Sequence, residues 1–182
     1  MAEILTKKEQ KDLLKIARDT IVSYVGSAAI PSVESASRGL NLECGCFVTI
    51  KQHGHLRGCI GNFVSEVPLY RLVQEMAVSA ATRDPRFYPM KKQDLDAFVL
   101  EISVLSPLEL ISSVDRIKVG THGIYLVKNG FRGVLLPQVA SEYGWDRETF
   151  LKHTCLKAGL PENAWQKDCE IYIFTAQVFG ET

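Results

Sequence analysis

Cys46-Phe-Val-Thr-Ile-Lys-Gln-His-Gly-His-Leu-Arg-Gly-Cys-Ile-Gly-Asn62 reads as a β-hairpin. Cys46 to Lys51 is rich in β-branched and aromatic residues, His53-Gly54 supplies a turn, and Leu56 to Ile60 returns. A two-residue turn at His53-Gly54 sets Gln52 opposite His55, Ile50 opposite Arg57 and Val48 opposite Cys59. Strand side chains alternate, so Leu56, Gly58 and Ile60 share one face and Arg57 and Cys59 the other. Arg57 and Cys59 are then spaced by two strand rises, about 7 Å. Gly58 and Gly61 bracket the cysteine, and a glycine inside a strand often marks the close approach of a ligand or another backbone. A thiol beside a guanidinium, with little bulk around it, suits a reactive site. The competing reading is a small buried hydrophobe at Cys59 and a surface charge at Arg57.

The bulk numbers narrow the function classes. The chain has 182 residues, 46% hydrophobic and 23% charged, with zero formal net charge. That is one ordinary globular domain, or two small ones. Zero net charge without a basic stripe argues against nucleic acid or an anionic membrane surface. No apolar run reaches the ~18 residues of a membrane span, and no apolar segment follows the N-terminal charges as in a secretory leader. Five cysteines without a disulfide-type spacing point to a reduced, cytoplasmic protein.

Around the hairpin the elements fall in order. Thr6 to Glu9 forms a capping box, Leu13, Ala17, Ile21 and Val25 follow at helical spacing, and Gly26 suits the left-handed C-terminal position. Ser27 to Gly45 reads as loop. Cys44, Cys46, His53, His55 and Cys59 are five potential metal ligands, but their spacing fits no common knuckle, so no metal or other cofactor is expected. In the two-residue-turn register Cys46 and Cys59 share a face, which leaves a dithiol open. Ser65 is a helix cap candidate before the stripe Leu69, Leu72, Val73, Met76, Ala77 and Ala80, and Asp84-Pro85 ends that helix. Arg83 to Phe87 then forms a charged turn, either pairing locally or facing Cys59 with one of its arginines. Phe98 to Ser106 is a strand, Ser113 to Ile117 a helical turn, and Gly120 to Gly123 a tight loop presenting His122. Ile124 to Lys128 and Phe131 to Leu136 flank the turn Asn129-Gly130, and Pro137-Gln138 stops the second of them. Asp146 caps a helix with Trp145 and Phe150 as a hydrophobic staple, and Glu170 to Phe179 reads as one last strand.

The two halves repeat. Lys51, Gly54 and Arg57-Gly58 in the first hairpin match Lys128, Gly130 and Arg132-Gly133 in the second, and each hairpin precedes a helix and a β-rich segment. The second copy has Val134 where the first has Cys59, so the hairpin itself does not require the cysteine.

Leu56-Arg57-Gly58-Cys59-Ile60-Gly61 resembles the signature of the AMMECR-domain family, also called AmmeMemoRadiSam system protein A. The resemblance runs on through Phe47-Val48-Thr49, Asp84 to Phe87, Glu101 to Pro107, Gly120 to Gly123, Leu135 to Gln138, and Trp145 to Leu160. It implies one α+β domain over 1–182, its antiparallel sheet built from two intertwined hairpin–helix–strand repeats, about 44–110 and 122–180, with helices packed on the sheet. It also implies membership of a three-part system with a radical S-adenosylmethionine protein and a Memo-like protein. It supplies no reaction, and Cys44, His53 and His55 lie outside its motif.

Two functions compete. In an enzyme, Cys59 would be the nucleophile and Arg57 would favour its thiolate. His122 would serve as acid or base, while Gly58, Gly61, Arg86 and Gln138 hold a small anionic or carbonyl substrate. In a non-catalytic adaptor, the same Leu56 to Gly61 cleft would dock a protein partner and Cys59 would pack inside it.

Overall fold

The first helix begins where two side chains satisfy each other's backbone. The Thr6 hydroxyl accepts the Glu9 N–H at 3.3 Å, and the Glu9 carboxylate accepts the Thr6 N–H at 2.8 Å. The computed structural model describes residues 4–181 of the chain. Helix α1 (Lys7–Ser27) buries Leu13, Ala17 and Ile21 on one face. Its left-handed terminal residue is Ala28 (φ 57°) rather than Gly26, because the Ala28 N–H reaches back to the Tyr24 carbonyl at 2.8 Å. The Glu9 carboxylate also accepts the Ser37 hydroxyl and the Gly39 N–H, tying the loop before the hairpin to α1. These bonds, Ser37 foremost, hold the Glu9 carboxyl down at about 2.

The remaining elements are β1 (Cys46–Gln52), β2 (His55–Asn62), α2 (Leu69–Thr82), β3 (Phe98–Leu105), β4 (Glu109–Ile111), β5 (Gly123–Lys128), β6 (Phe131–Leu135), α3 (Pro137–Glu142), α4 (Arg147–Lys157), β7 (Glu170–Phe174) and β8 (Ala176–Gly180). Short 3₁₀ turns punctuate the loops. Two sheets form, ordered β2-β1-β3-β8 and β4-β7-β5-β6, with β1–β2, β1–β3, β4–β7, β5–β6 and β5–β7 antiparallel. This is an α+β fold. The chain divides into two compact units, residues 4–105 with 177–181, and residues 106–176.

The repeats are interleaved by strand exchange. Each sheet is a hairpin plus a third strand, and its fourth strand comes from the segment that follows the other sheet's third strand. The expected single strand over Glu170 to Phe179 is therefore two strands, broken at Thr175. Ser106 and Thr175 stand at the two crossovers and bond each other. The Ser106 N–H donates to the Thr175 carbonyl at 2.9 Å, and the Thr175 N–H donates to the Ser106 hydroxyl at 2.9 Å. Neither backbone group is left for a continuing ladder.

Other departures have local causes. Ser65 does not cap α2; its hydroxyl accepts the Val67 N–H at 3.1 Å in a turn of its own, and Pro68 occupies the cap. Pro137 does more than stop β6. It opens α3, at a first-turn position where its missing N–H costs no hydrogen bond. Both hairpin turns carry positive φ at each central residue, His53 (52°) with Gly54 (79°) and Asn129 (50°) with Gly130 (84°), as type I′ turns require. Among the described residues no helix is long and apolar enough to cross a membrane.

One close approach recurs in both units. A side chain on Gly58 of β2 would lie 2.1 Å from the Ala80 carbonyl oxygen of α2, and one on Gly133 of β6 would lie 2.3 Å from the Thr154 carbonyl oxygen of α4. Each helix thus rests on bare backbone of a return strand. Val48, Ile50 and Ile102 are buried in one core with α2, and Ile124, Leu126 and Ile173 in another with α4. Because the obstructing atom is backbone, relief requires moving a helix. Gly58→Ala and Gly133→Ala are each expected to cost about 2–3 kcal/mol, read as a lowered urea midpoint with an unchanged slope.

Candidate functional site

The site forms around a bulge that the two-residue-turn register does not anticipate. Near the turn the pairing is as read, with Gln52 opposite His55 and Lys51 opposite Leu56. Ile50 then faces Gly58, and Arg57 is the extra residue. Beyond it Cys59 stands opposite Thr49 and Ile60 opposite Val48, one place later than expected. This slip changes faces. Cys59 leaves the face of Val48 and Cys46 and joins that of Phe47 and Thr49. Two expectations fail for that reason. Arg57 and Cys59 do not alternate regularly on one face, and Cys46, fully buried in the core and opposite Asn62, is on the other face from Cys59, so they form no dithiol.

Cys59 is half-buried, and its surroundings are defined atom by atom. Its sulfur receives the Thr49 hydroxyl at 3.2 Å. Its N–H, pointing off the free edge of β2, donates to Asp84 Oδ2 at 2.9 Å, and its carbonyl accepts Arg86 Nη2 at 3.4 Å. Asp84 and Arg86 are joined by three further bonds, Nε to Oδ1 at 2.9 Å, Nη2 to Oδ2 at 2.7 Å and the Arg86 N–H to Oδ1 at 3.1 Å. A carboxylate and a guanidinium thus take the places that a neighbouring strand's carbonyl and N–H would occupy. They close the sheet edge at Cys59. The guanidinium bonded to the Cys59 backbone is that of Arg86.

Asp84 is buried, and its carboxyl is held well below the usual range. Arg86 is the largest cause; burial opposes it, and the Cys59 N–H adds to it. A folded value below the unfolded one means stability that is complete above about pH 4 and lost as pH falls toward the folded value. Asp84→Asn is expected to cost about 2 kcal/mol at neutral pH. It should also flatten the acid limb of the stability curve, measured by denaturant unfolding at stepped pH.

Arg57 is occupied elsewhere. The bulge buries it to 7% exposure, with its guanidinium 4.3 Å from the Tyr88 ring centroid, 6.0 Å from that of Phe87 and 3.7 Å from the Asp94 carboxylate. Its Nε and both Nη atoms have no hydrogen-bond partner among the described residues. Asp94, by contrast, accepts the Lys91 N–H at 2.7 Å and the Tyr88 hydroxyl at 3.3 Å. Arg57 therefore braces the loop after α2 that carries Asp84 and Arg86. A buried cation without hydrogen bonds adds little net stability, whereas stripping its counter-charge is costly. Arg57→Met is expected to cost less than about 1 kcal/mol and Asp94→Asn about 3 kcal/mol or more. The reverse order in thermal unfolding would refute the bracing account.

The other candidates separate as follows. Gly58 and Gly61 serve packing: a side chain at Gly61 would meet the Cys46 carbonyl and the Phe47 ring, both at 2.4 Å. His122 and Gln138 belong to the second unit. His122 Nδ1 accepts the Lys118 N–H at 3.2 Å, and burial, chiefly, lowers its pKa. Gln138 is exposed in the first turn of α3. His53 and His55 are exposed at the turn, and burial raises the Cys44 thiol to about 11 and the Cys46 thiol further. Among the described residues no group of three His, Cys, Asp or Glu side chains could hold a metal ion. Sequence reasoning missed Thr49, because only the bulge brings it opposite Cys59. It also read Asp84 as a turn former alone.

Two exchanged four-stranded sheets, with a clamped cysteine on the edge strand of one, define an α+β class built from interleaved repeats. The chain belongs to the AMMECR1 family, whose model matches residues 14–179. Protein MK0488 of Methanopyrus kandleri is 44% identical, over 100% of this chain and 92% of that protein. Protein MJ0810 of Methanocaldococcus jannaschii is 41% identical, over 98% and 92%. The crystal structure of the uncharacterized protein PH0010 from Pyrococcus horikoshii superposes with a TM-score of 0.85 at 37% identity, covering 98% of this chain and 94% of that one.

Proposed function

We propose that this chain is the cytoplasmic member of a three-part system with a radical S-adenosylmethionine protein and a Memo-like protein, and that Cys59 is its working residue toward a small anionic or carbonyl substrate. One observation carries the second half. The only half-exposed thiol in the first unit has its main chain held on both sides by Asp84 and Arg86, while its sulfur faces a hydroxyl donor. Two stretches of the family resemblance, Leu56 to Gly61 and Asp84 to Phe87, meet there. The clamp fixes the sulfur's position, Thr49 offers a hydrogen bond to the thiolate, and Arg86 supplies positive charge for an approaching anion. The partner assignment rests on the family resemblance alone.

A docking role is the second reading, and a separate observation favours it. Leu56 is 42% exposed and Tyr88 58% exposed, an apolar rim on the same hairpin and loop that carry the site.

Timed labelling with iodoacetate, resolved by cysteine, tests the proposal. Cys59 is expected to react first. Cys169 should lag because burial raises its pKa, and Cys44, Cys46 and Cys155 should stay protected in the core. Cys59→Ala should abolish the system's output while leaving co-purification with both partner proteins intact. Protection of Cys59 across the folded pH range, or full output from Cys59→Ala, would overturn the nucleophile. Loss of co-purification in Leu56→Asp or Tyr88→Ala, with Cys59→Ala fully functional, would establish docking instead.

A further inference from the structure

Cys59 and Val134 follow the Arg-Gly pair of their hairpins, and the sheet edges they stand on differ. In the first unit Asp84 takes the Cys59 N–H and Arg86 the Cys59 carbonyl, so that edge is closed. In the second unit β6 is the last strand of its sheet, with β5 on one side only. The type I′ turn at Asn129-Gly130 pairs Lys128 with Phe131, so Phe131, Gly133 and Leu135 direct their backbone groups at β5. Arg132 and Val134 direct theirs off the edge. Among the described residues no hydrogen bond reaches the outward N–H or carbonyl of either.

The end of α4 explains the difference. Asp84 comes four positions after Ala80, the residue over Gly58. Four positions after Thr154, the residue over Gly133, stands Ala158, which has no carboxylate to offer. The helix closes there in a Schellman motif: Gly159 is at φ 76°, its N–H bonds the Leu156 carbonyl at 3.0 Å, and the Leu160 N–H bonds the Cys155 carbonyl at 3.0 Å. Two donors and two acceptors are left along β6, spaced as one strand presents them to the next. Arg132 adds a charge. Its side chain is exposed and, among the described residues, makes no ion pair or hydrogen bond. Val134, half-buried, adds an apolar neighbour on the same face.

We propose that β6 is a strand-addition site for an extended segment of another protein, one with an acidic residue opposite Arg132 and a β-branched apolar residue opposite Val134. An extended chain answers all of the open main-chain groups at once. A carboxylate opposite Arg132 makes a cross-strand pair with it, whereas a basic residue there would set like charges together. A second copy of β6 would meet Arg132 with an apolar residue or with another Arg132, and would leave its charge unanswered. The inference is independent of Cys59 and of the apolar rim at Leu56 and Tyr88.

Proton–nitrogen correlation spectra of the labelled chain test it. The probes are cyclic β-hairpin peptides, preorganised to spare the ordering cost. Their outer strand reads Thr-Val-Thr-Glu-Thr for antiparallel addition and Thr-Glu-Thr-Val-Thr for parallel addition. One of them is expected to move the Arg132 and Val134 amide signals saturably, with a Kd of about 1 mM or tighter, and to slow their hydrogen exchange. Replacing its Glu by Lys should weaken binding at least about threefold, and N-methylation of its outward Val and Glu should abolish binding. Arg132→Glu, at an exposed side chain, should reverse the preference between the Glu and Lys peptides. Arg132 and Val134 signals that neither peptide moves would overturn the proposal. So would binding that survives N-methylation, or an unreversed preference in Arg132→Glu. A dimer that protects both amides with no peptide present would overturn it in favour of a second copy.

Discussion

A helix carbonyl resting on the backbone of a residue without a side chain sets the spacing of this fold, once in each unit. Ala80 over Gly58 fixes the distance between α2 and β2. Helix α2 then ends at Thr82, and two residues later Asp84 arrives at the edge of β2, beside the residue that follows Gly58. The carboxylate finds the Cys59 N–H because the helix has already been placed at that depth. In the second unit Thr154 over Gly133 performs the same packing, but the residue that follows is Val134, and among the described residues no side-chain clamp on it is seen. The architecture is shared and the chemistry belongs to one copy.

The bulge at Arg57 is the second constraint. An extra residue in β2 sends one long cation into the loop after α2 and turns the next side chains over. Without it Cys59 would face the core with Val48 and Cys46, where burial drives thiols toward their protonated form. With it, Cys59 stands on the opposite face beside Thr49. The buried Arg57 guanidinium has no hydrogen bond among the described residues, a poor arrangement for stability alone. Its value is positional: it holds Tyr88 and Asp94, and with them the loop that presents Asp84 and Arg86.

Strand exchange ties the ends of the chain to its middle. Strand β8 closes the first sheet after the chain has built the second, and Glu181 then bonds both Arg18 of α1 and the Leu100 backbone of β3. Gln177 adds a pair of bonds to the backbone of Leu5, its amide standing in for a strand partner. The first unit is therefore incomplete until the last residues are in place.

Much of this was legible from residues alone, because it is local. Thr6 and Glu9 announce a capping box, Asn129-Gly130 and His53-Gly54 announce tight hairpins, Asp146 announces a helix start, and the doubled Arg-Gly pattern announces a repeat. Each rests on contacts within a few positions along the chain. The rest depended on partners far away in sequence. Whether Glu170 to Phe179 is one strand or two is decided by Ser106, and which face Cys59 occupies is decided by how α2 and its loop accommodate Arg57. An alternating apolar pattern reads the same on either side of a bulge or a crossover, since the local preference for extended backbone is satisfied in both. Only the packing of helix on strand, and the hydrogen bonds left open at the sheet edge, choose between them.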